Sequence, residues 1–403
     1  MRVLGMISGT SHDGIDTAIV SFVRDGEELS ISIDHTDSVP YSAELRERLI
    51  RALPPGASSM DETCWLDTQI GQEFAAAAAK TIGDHTAAGG EPVDLVCTHG
   101  QTVYHWVDGA HAKGTLQLGQ PAWIAELCGV PVLSDVRAAD IAAGGQGAPL
   151  VPVLDELMLR QFRNGGERSA ALNLGGIANV TVVDPSEETR AWDIGPANAL
   201  IDAVVTDATM SAQTFDRDGA LASAGIVDND LVSQLLSEPY YRLPAPKSSG
   251  KELFHLNYVR RHIDRIGHPL SLADLVATLT ELTARTVADA LRDANVRVVV
   301  ASGGGVHNPI LMGRIRSLLP AVTVMDSDAV GIPVDAKEAV AFALIGWASR
   351  HSLASNVPSC TGASGPRQLG RLSPGPNGYG PAVPALPSWP TRVSFTAGIS
   401  ETA

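Results

Sequence analysis

A chain of 403 residues is too long for one small core and long enough for two domains. With 44% hydrophobic and 18% charged residues it lies far from the disordered regime. Its 45 acidic residues against 29 basic ones, a formal net charge of −16, argue against nucleic acid or an anionic membrane as partner, so any anionic ligand must be met by local donors.

Cys64, Cys97, Cys128 and Cys360 are widely spaced and form no C-x-x-C pair, which leaves neither a disulfide framework nor a zinc site in view. The first residues lack a basic stretch followed by an apolar one and a cleavage site, and no run of about 18 apolar residues occurs, so a soluble cytoplasmic protein is expected.

The chain opens with an apolar run, Val3 to Ile7, that breaks into Ser8-Gly9-Thr10-Ser11-His12-Asp13-Gly14 and returns to apolar alternation at Ile15. That pattern predicts a strand, a tight polar turn and a second strand. Glycines let backbone N–H groups approach an anion, and Ser8, Thr10 and Ser11 add hydroxyls, so the turn suits a phosphate chain as well as an ordinary hairpin. A carboxylate beside phosphates would be repelled unless a cation stood between them, which makes Asp13 a candidate for the Mg²⁺ side.

A third strand is expected at Leu29 to Val39, then helices at Ser42 to Leu53 and Asp61 to Thr81, the second with Asp61 as its N-cap. Val93 to Thr98 reads as a short strand that ends in Thr98-His99-Gly100-Gln101-Thr102, polar residues placed where α/β folds put their sites. Strands at Leu116 to Leu118 and Pro131 to Ser134, a helix at Gln120 to Leu127, the glycine-dense loop Gly144 to Gly147 and a helix at Leu150 to Phe162 complete the first half.

The layout then starts again. Ala170 to Leu174 is a strand, Gly175-Gly176-Ile177-Ala178-Asn179 a glycine turn, Val180 to Val183 the return, and Arg190 to Ile194 a third strand carrying Asp193. Asp193 equally suits an N-cap for the helix expected near Asn198. Ser271 caps a helix from Leu272 to Asp293, and Val296 to Ala301 is a buried strand turned by Ser302-Gly303-Gly304-Gly305 into a helix with Pro309 in its first turn. Strand Val322 to Val324 and a helix from Ala336 to His351 follow, and the proline-rich residues from Pro374 on are expected to form a loose tail.

No Walker A sequence, G-x-G-x-x-G fingerprint, His-Glu-x-x-His or G-x-S-x-G elbow occurs, which removes several enzyme classes. Seven segments in fixed order carry a family resemblance: Gly9 to Asp16, Thr98 to Thr102, Asp140 to Leu150, Leu172 to Asn179, Asp193 to Asn198, Pro246 to Gly250 and Ser302 to Asn308. Over residues 1 to about 375 the chain resembles the anhydro-N-acetylmuramic acid kinases. That family belongs to the sugar kinase, Hsp70 and actin superfamily, whose α/β fold has two RNase H-like domains clasping ATP in an interdomain cleft. The expected division is 1–133, 134–375 and a flexible tail 376–403.

The resemblance implies conversion of 1,6-anhydro-N-acetylmuramic acid, ATP and water to N-acetylmuramic acid 6-phosphate and ADP in cell-wall recycling. It matches Gly9, Thr10, Ser11, His12, Asp13, Gly14, Ile15 and Asp16 to the ATP phosphate loop, with Mg²⁺ at Asp13. Gly175, Gly176 and Asn179 match the second phosphate turn, and Gly303, Gly304 and Gly305 the adenosine side. Asp193 matches the catalytic base and Glu338 a sugar-binding carboxylate, which could also be a helix-start acid. His99, Gln101 and Arg137 are candidates for the sugar's carboxylate and hydroxyls, or for structural contacts, and Lys247 and Lys251 for phosphate or solvent. His12 and Ala197 depart from the family's usual methionine and glycine. The partners expected are ATP and the amino sugar, with a homodimer left open. A kinase of a related amino sugar without the anhydro bridge, or an ATPase driving conformational change, are the alternatives.

Overall fold

The computed structural model describes residues 1–397 apart from 10, 55, 110, 251 and 252. The chain divides into two compact units, one formed by Met1–Arg160 with the chain from Val330 on, the other by Gln161–Ala329. Its strands run in chain order as β1 (Arg2–Ser8), β2 (Gly14–Asp25), β3 (Glu28–Pro40), β4 (Leu95–Asp108), β5 (His111–Leu118) and β6 (Val132–Ser134) in the first unit. The second unit holds β7 (Arg168–Leu174), β8 (Ile177–Val183), β9 (Arg190–Pro196), β10 (Val296–Ser302) and β11 (Thr323–Asp326), after which β12 (Arg371–Ser373) and β13 (Arg392–Ala397) return to the first.

Both sheets follow one plan. In the first the order is β12-β6-β4-β1-β2-β3-β13, with β1, β2 and β3 antiparallel and β4 and β6 parallel to β1 and to each other. In the second it is β11-β10-β7-β8-β9, again three antiparallel strands followed by two parallel ones. This is the RNase H-like arrangement, present twice, as the repeated strand, glycine turn, strand pattern predicts.

One face of the first sheet packs Leu4, Met6, Ile15 and Ile19 against Leu66, Ile70, Phe74 and Ala78 of the helix Met60–Ala87. Against β1 lies the helix Lys337–Arg350, buried along almost its whole length. A Cβ on Gly5 would stand 2.0 Å from the Ala339 carbonyl, so the strand and this helix meet backbone to backbone. That close seat sets where the helix's first turn, with Glu338, begins. In the second unit Ala170, Leu172, Val180 and Val299 pack against Ala284, Val287 and Leu291 of the helix Leu272–Asp293, which Ser271 caps as expected.

Two readings need correction. The helix expected from Asp61 starts at Met60 with Ser59 as N-cap, whose hydroxyl accepts the Glu62 N–H. Thr98 to Thr102 lie inside β4 rather than beyond it, because β5 pairs with Gln101 through Asp108 and extends the strand. By compactness, residues 134–160 and those from Val330 on group with the first unit. Within the described residues of the proline-rich stretch, Trp389 donates to the Ala354 carbonyl, Arg160 donates to that of Pro390, and β13 pairs in parallel with β3. The six residues beyond Ala397 lie outside the described residues.

Candidate active site

The first unit presents the turn between β1 and β2. The His12 N–H bonds back to the Gly9 carbonyl at 3.3 Å, and His12 holds a positive φ of 54°. Arg46 donates to the His12 carbonyl, Tyr41 N–H to that of Asp13, and the Ser11 hydroxyl to the Asp13 carboxylate at 2.6 Å. Thr10 lies outside the described residues. Ser11 and Asp13 are exposed, Gly9 and His12 partly so. Gly14 and Ile15 are closely packed: a Cβ on Gly14 would come within 2.7 Å of the Val39 carbonyl, and the Ile15 side chain is in the core.

Beneath the turn Gln101 is 1% exposed and fully occupied. Its Oε1 accepts from the hydroxyls of Ser8 and Tyr41, and its Nε2 donates to the carbonyls of Gly9 and Thr102. It therefore braces the end of β1 and the turn.

Beside it, buried His99 accepts at Nε2 from Arg137 Nε at 2.8 Å, and its Nδ1 lies 2.9 Å from the Gly100 carbonyl. Those two partners put the ring proton on Nδ1. Burial, then the neighbouring Arg137, pushes the imidazole down to about 3, so it stays neutral. Arg137 also donates to the Gly147 carbonyl at 2.6 Å, and burial pulls its guanidinium down to about 10 against the opposing fields of Glu338 and Asp140. The Gly144 to Gly147 loop is held in turn by Asp140, which accepts from Gly147 N–H, Asn356 and Thr361.

Glu338 stands in the first turn of its helix with its carboxyl raised, first by burial and then by the charge of Asp16. Asp16, bonded to the Ser38 hydroxyl, is likewise raised by burial and by Asp13 and Asp335. Hard oxygen donors of this kind fit Mg²⁺, which takes one or two carboxylates and fills its remaining positions with phosphate and water. Among the described residues no three His, Cys, Asp or Glu side chains are grouped so as to hold a metal ion.

The second unit carries Asp193 in β9. Neighbouring registers set Asn173, Asn179 and Asp193 side by side across β7, β8 and β9, a polar row at the end of an apolar sheet. Asn198, not Asp193, is the N-cap of the helix Ala199–Ala208. Its amide donates to the carbonyls of Leu174 and Gly175, and the N–H groups of Ala197 and Ala199 reach the Gly176 carbonyl, which pins the Gly175-Gly176 turn to the helix start. Gly303 has φ +84°, and a Cβ there would lie 2.5 Å from Asn173 Oδ1, while one on Gly305 would strike Leu174. The protein itself thus requires glycine at 303 and 305, and Gly304 alone of the three has open space. Asn173 stands inside the Leu172 to Asn179 segment but has no turn or spacing signal of its own.

Asp193 is held on three atoms by one loop. Its N–H donates to the Lys247 carbonyl at 3.0 Å, its carbonyl accepts the Tyr240 hydroxyl at 2.8 Å, and its Oδ2 accepts the Ser249 N–H at 2.9 Å. A carboxylate so fixed can take a proton from a nucleophile without first being ordered. Lys251 lies outside the described residues.

The family described as anhydro-N-acetylmuramic acid kinase matches residues 1–375. A curated relative of that name from Rhodococcus erythropolis is 49% identical over 98% of this chain and 100% of its own length. Another of that name, from Streptomyces avermitilis, is 50% identical over 98% of this chain and 99% of its own. A solved activator of the 2-hydroxyisocaproyl-CoA dehydratase from Clostridium difficile, with bound ADPNP, covers 86% of this chain and 94% of its own at 12% identity and a TM-score of 0.42, too loose a likeness to bear on function. Matched along nearly its whole length, the chain belongs to the anhydro-N-acetylmuramic acid kinase family.

Proposed function

We infer that the protein is an ATP-dependent kinase that opens the 1,6-anhydro bridge of 1,6-anhydro-N-acetylmuramic acid with water and phosphorylates O6, in cell-wall recycling. The observation that carries this reading is the fixed Asp193 carboxylate, met in a chain whose family match runs from residue 1 to residue 375. Asp193 accepts a proton from water as the oxygen attacks the anomeric carbon. The C1–O6 bond breaks, and O6 becomes the nucleophile toward the γ-phosphorus in line.

The remaining residues bind and orient. Gly9 to Asp16 and the Gly175-Gly176 turn with Asn179 take the phosphates, and Gly303 to Gly305 the nucleoside. Asp13 would hold Mg²⁺, which when bound would neutralise charge on the transferring phosphoryl group. Arg137, oriented by His99, takes the sugar's lactyl carboxylate, and Glu338 its hydroxyls, with Gln101 holding the turn behind them.

Purified protein given ATP, Mg²⁺ and the anhydrosugar should release ADP and a 6-phosphosugar in equal amounts. ADP release that ignores the anhydrosugar would overturn the reading, and equal use of free N-acetylmuramic acid would favour the kinase without bridge opening. Asp193→Asn should lower turnover by about 10²- to 10⁴-fold with ATP affinity unchanged.

A further inference from the structure

We propose that Lys247 is a positioning residue for Asp193, acting through the loop that grips it, a role that rests on Asp193 being the base. The Lys247 ammonium donates to the carbonyls of Tyr240 and Tyr241 at 3.0 and 3.1 Å and stands 4.6 Å from the centre of the Tyr240 ring. The same two residues hold Asp193 itself, Lys247 through its own carbonyl and Tyr240 through its hydroxyl. The cation therefore closes the loop from Tyr240 to Ser249 into a clamp, joining the two residues that fix the Asp193 backbone to the segment whose N–H fixes its carboxylate.

The anchor is firm on its other side. Tyr240 is 6% exposed and packs edge-on against Phe254, which stacks on Tyr241 and meets Tyr258. Burial lowers the Lys247 ammonium from its ordinary value, so its place among neutral carbonyls carries an electrostatic penalty that solvent exposure would have spared. A lysine meant only to solvate a loop would not be drawn inward, and one meant for phosphate would not have two of its donors engaged by carbonyls.

The test compares Lys247→Met, Tyr240→Phe, the double variant and Asp193→Asn in steady-state ADP release with the anhydrosugar. Tyr240→Phe keeps the aromatic core and deletes only the hydroxyl on the Asp193 carbonyl, so it remains informative if Lys247→Met folds poorly. Each single variant should lose about tenfold to a hundredfold in kcat, the scale of a small misplacement of a reacting group. KM for ATP and for the sugar should stay within about twofold, since the clamp acts on the step and not on binding. The double variant should fall little below the lower single one, because both substitutions release the same loop. Both single variants turning over normally while Asp193→Asn is inactive would overturn the clamp alone. Normal turnover by Asp193→Asn would overturn the base assignment and the clamp with it.

Discussion

Arg137 Nε and His99 Nε2 meet at 2.8 Å, an arginine donating to a buried neutral imidazole rather than to a carboxylate. The geometry requires that the ring never become protonated in the working range, since an imidazolium would present a donor to a donor. Nitrogen NMR should therefore find His99 with its proton on Nδ1 and no titration between pH 8 and pH 5. A midpoint near the ordinary histidine value would contradict the assignment. The sign for stability follows: a histidine depressed in the folded state leaves the unfolded chain binding more protons, so stability declines as pH falls below about 6.5.

Replacing His99 with alanine removes the acceptor and leaves a buried guanidinium N–H without a partner. A loss of about 1–3 kcal/mol in urea unfolding is expected, together with a raised KM for the sugar. An unchanged midpoint and KM would show that Arg137 is placed by Gly147 alone.

Glu338 stands under opposite electrostatics. Its carboxyl is raised by burial and by Asp16, so the folded protein holds that proton more tightly than the unfolded chain. Stability then falls as pH rises through and above the ordinary carboxylate range. Glu338→Gln should melt higher than the parent at pH 7 to 8, with the difference vanishing near pH 4, while sugar turnover drops. A lower melting temperature at neutral pH would sink this account.

Lys337 and Asp155 form a buried ion pair at 2.6 Å, their side chains 6% and 4% exposed, immediately before Glu338. Breaking it with Lys337→Met alone should cost about 3–5 kcal/mol, by leaving a carboxylate buried without its cation. Adding Asp155→Leu should recover most of that loss, as denaturant unfolding of the double variant can show. Equal stability of the two variants would mean that the pair is already solvated.

Gly5→Ala probes the seat of the same helix. With 2.0 Å between the added carbon and the Ala339 carbonyl, the helix must move off β1, and a loss at the upper end of about 1–3 kcal/mol is expected. Sugar turnover should fall with it because Glu338 moves too.

Local signals made much of this legible in the residues alone. The two strand, glycine turn, strand openings, the Ser271 cap and the apolar β10 are written in neighbouring positions, where periodicity and turn chemistry act. What stayed hidden depends on chain segments far apart. Nothing near His99 announces that its acceptor nitrogen faces Arg137, nor near Glu338 that Asp16 raises its carboxyl. The Lys247 side chain was ambiguous because its partners are backbone carbonyls, which every residue possesses. At Gly303 and Gly305 the near neighbours are Asn173 and Leu174, which lie far away in the chain. The extended reach of β4 escaped because its polar residues look like a loop until β5 supplies their ladder.

The pairing of β13 with β3 has a consequence for handling the protein. Residues Arg392 to Ala397 pair with Glu28 to Ile33 and stand as a short edge strand in front of the longer β3. Shortening the chain before Arg392 should thus move the sheet's open rim from the six residues of β13 to the thirteen of β3, and sedimentation should then find more self-association as concentration rises.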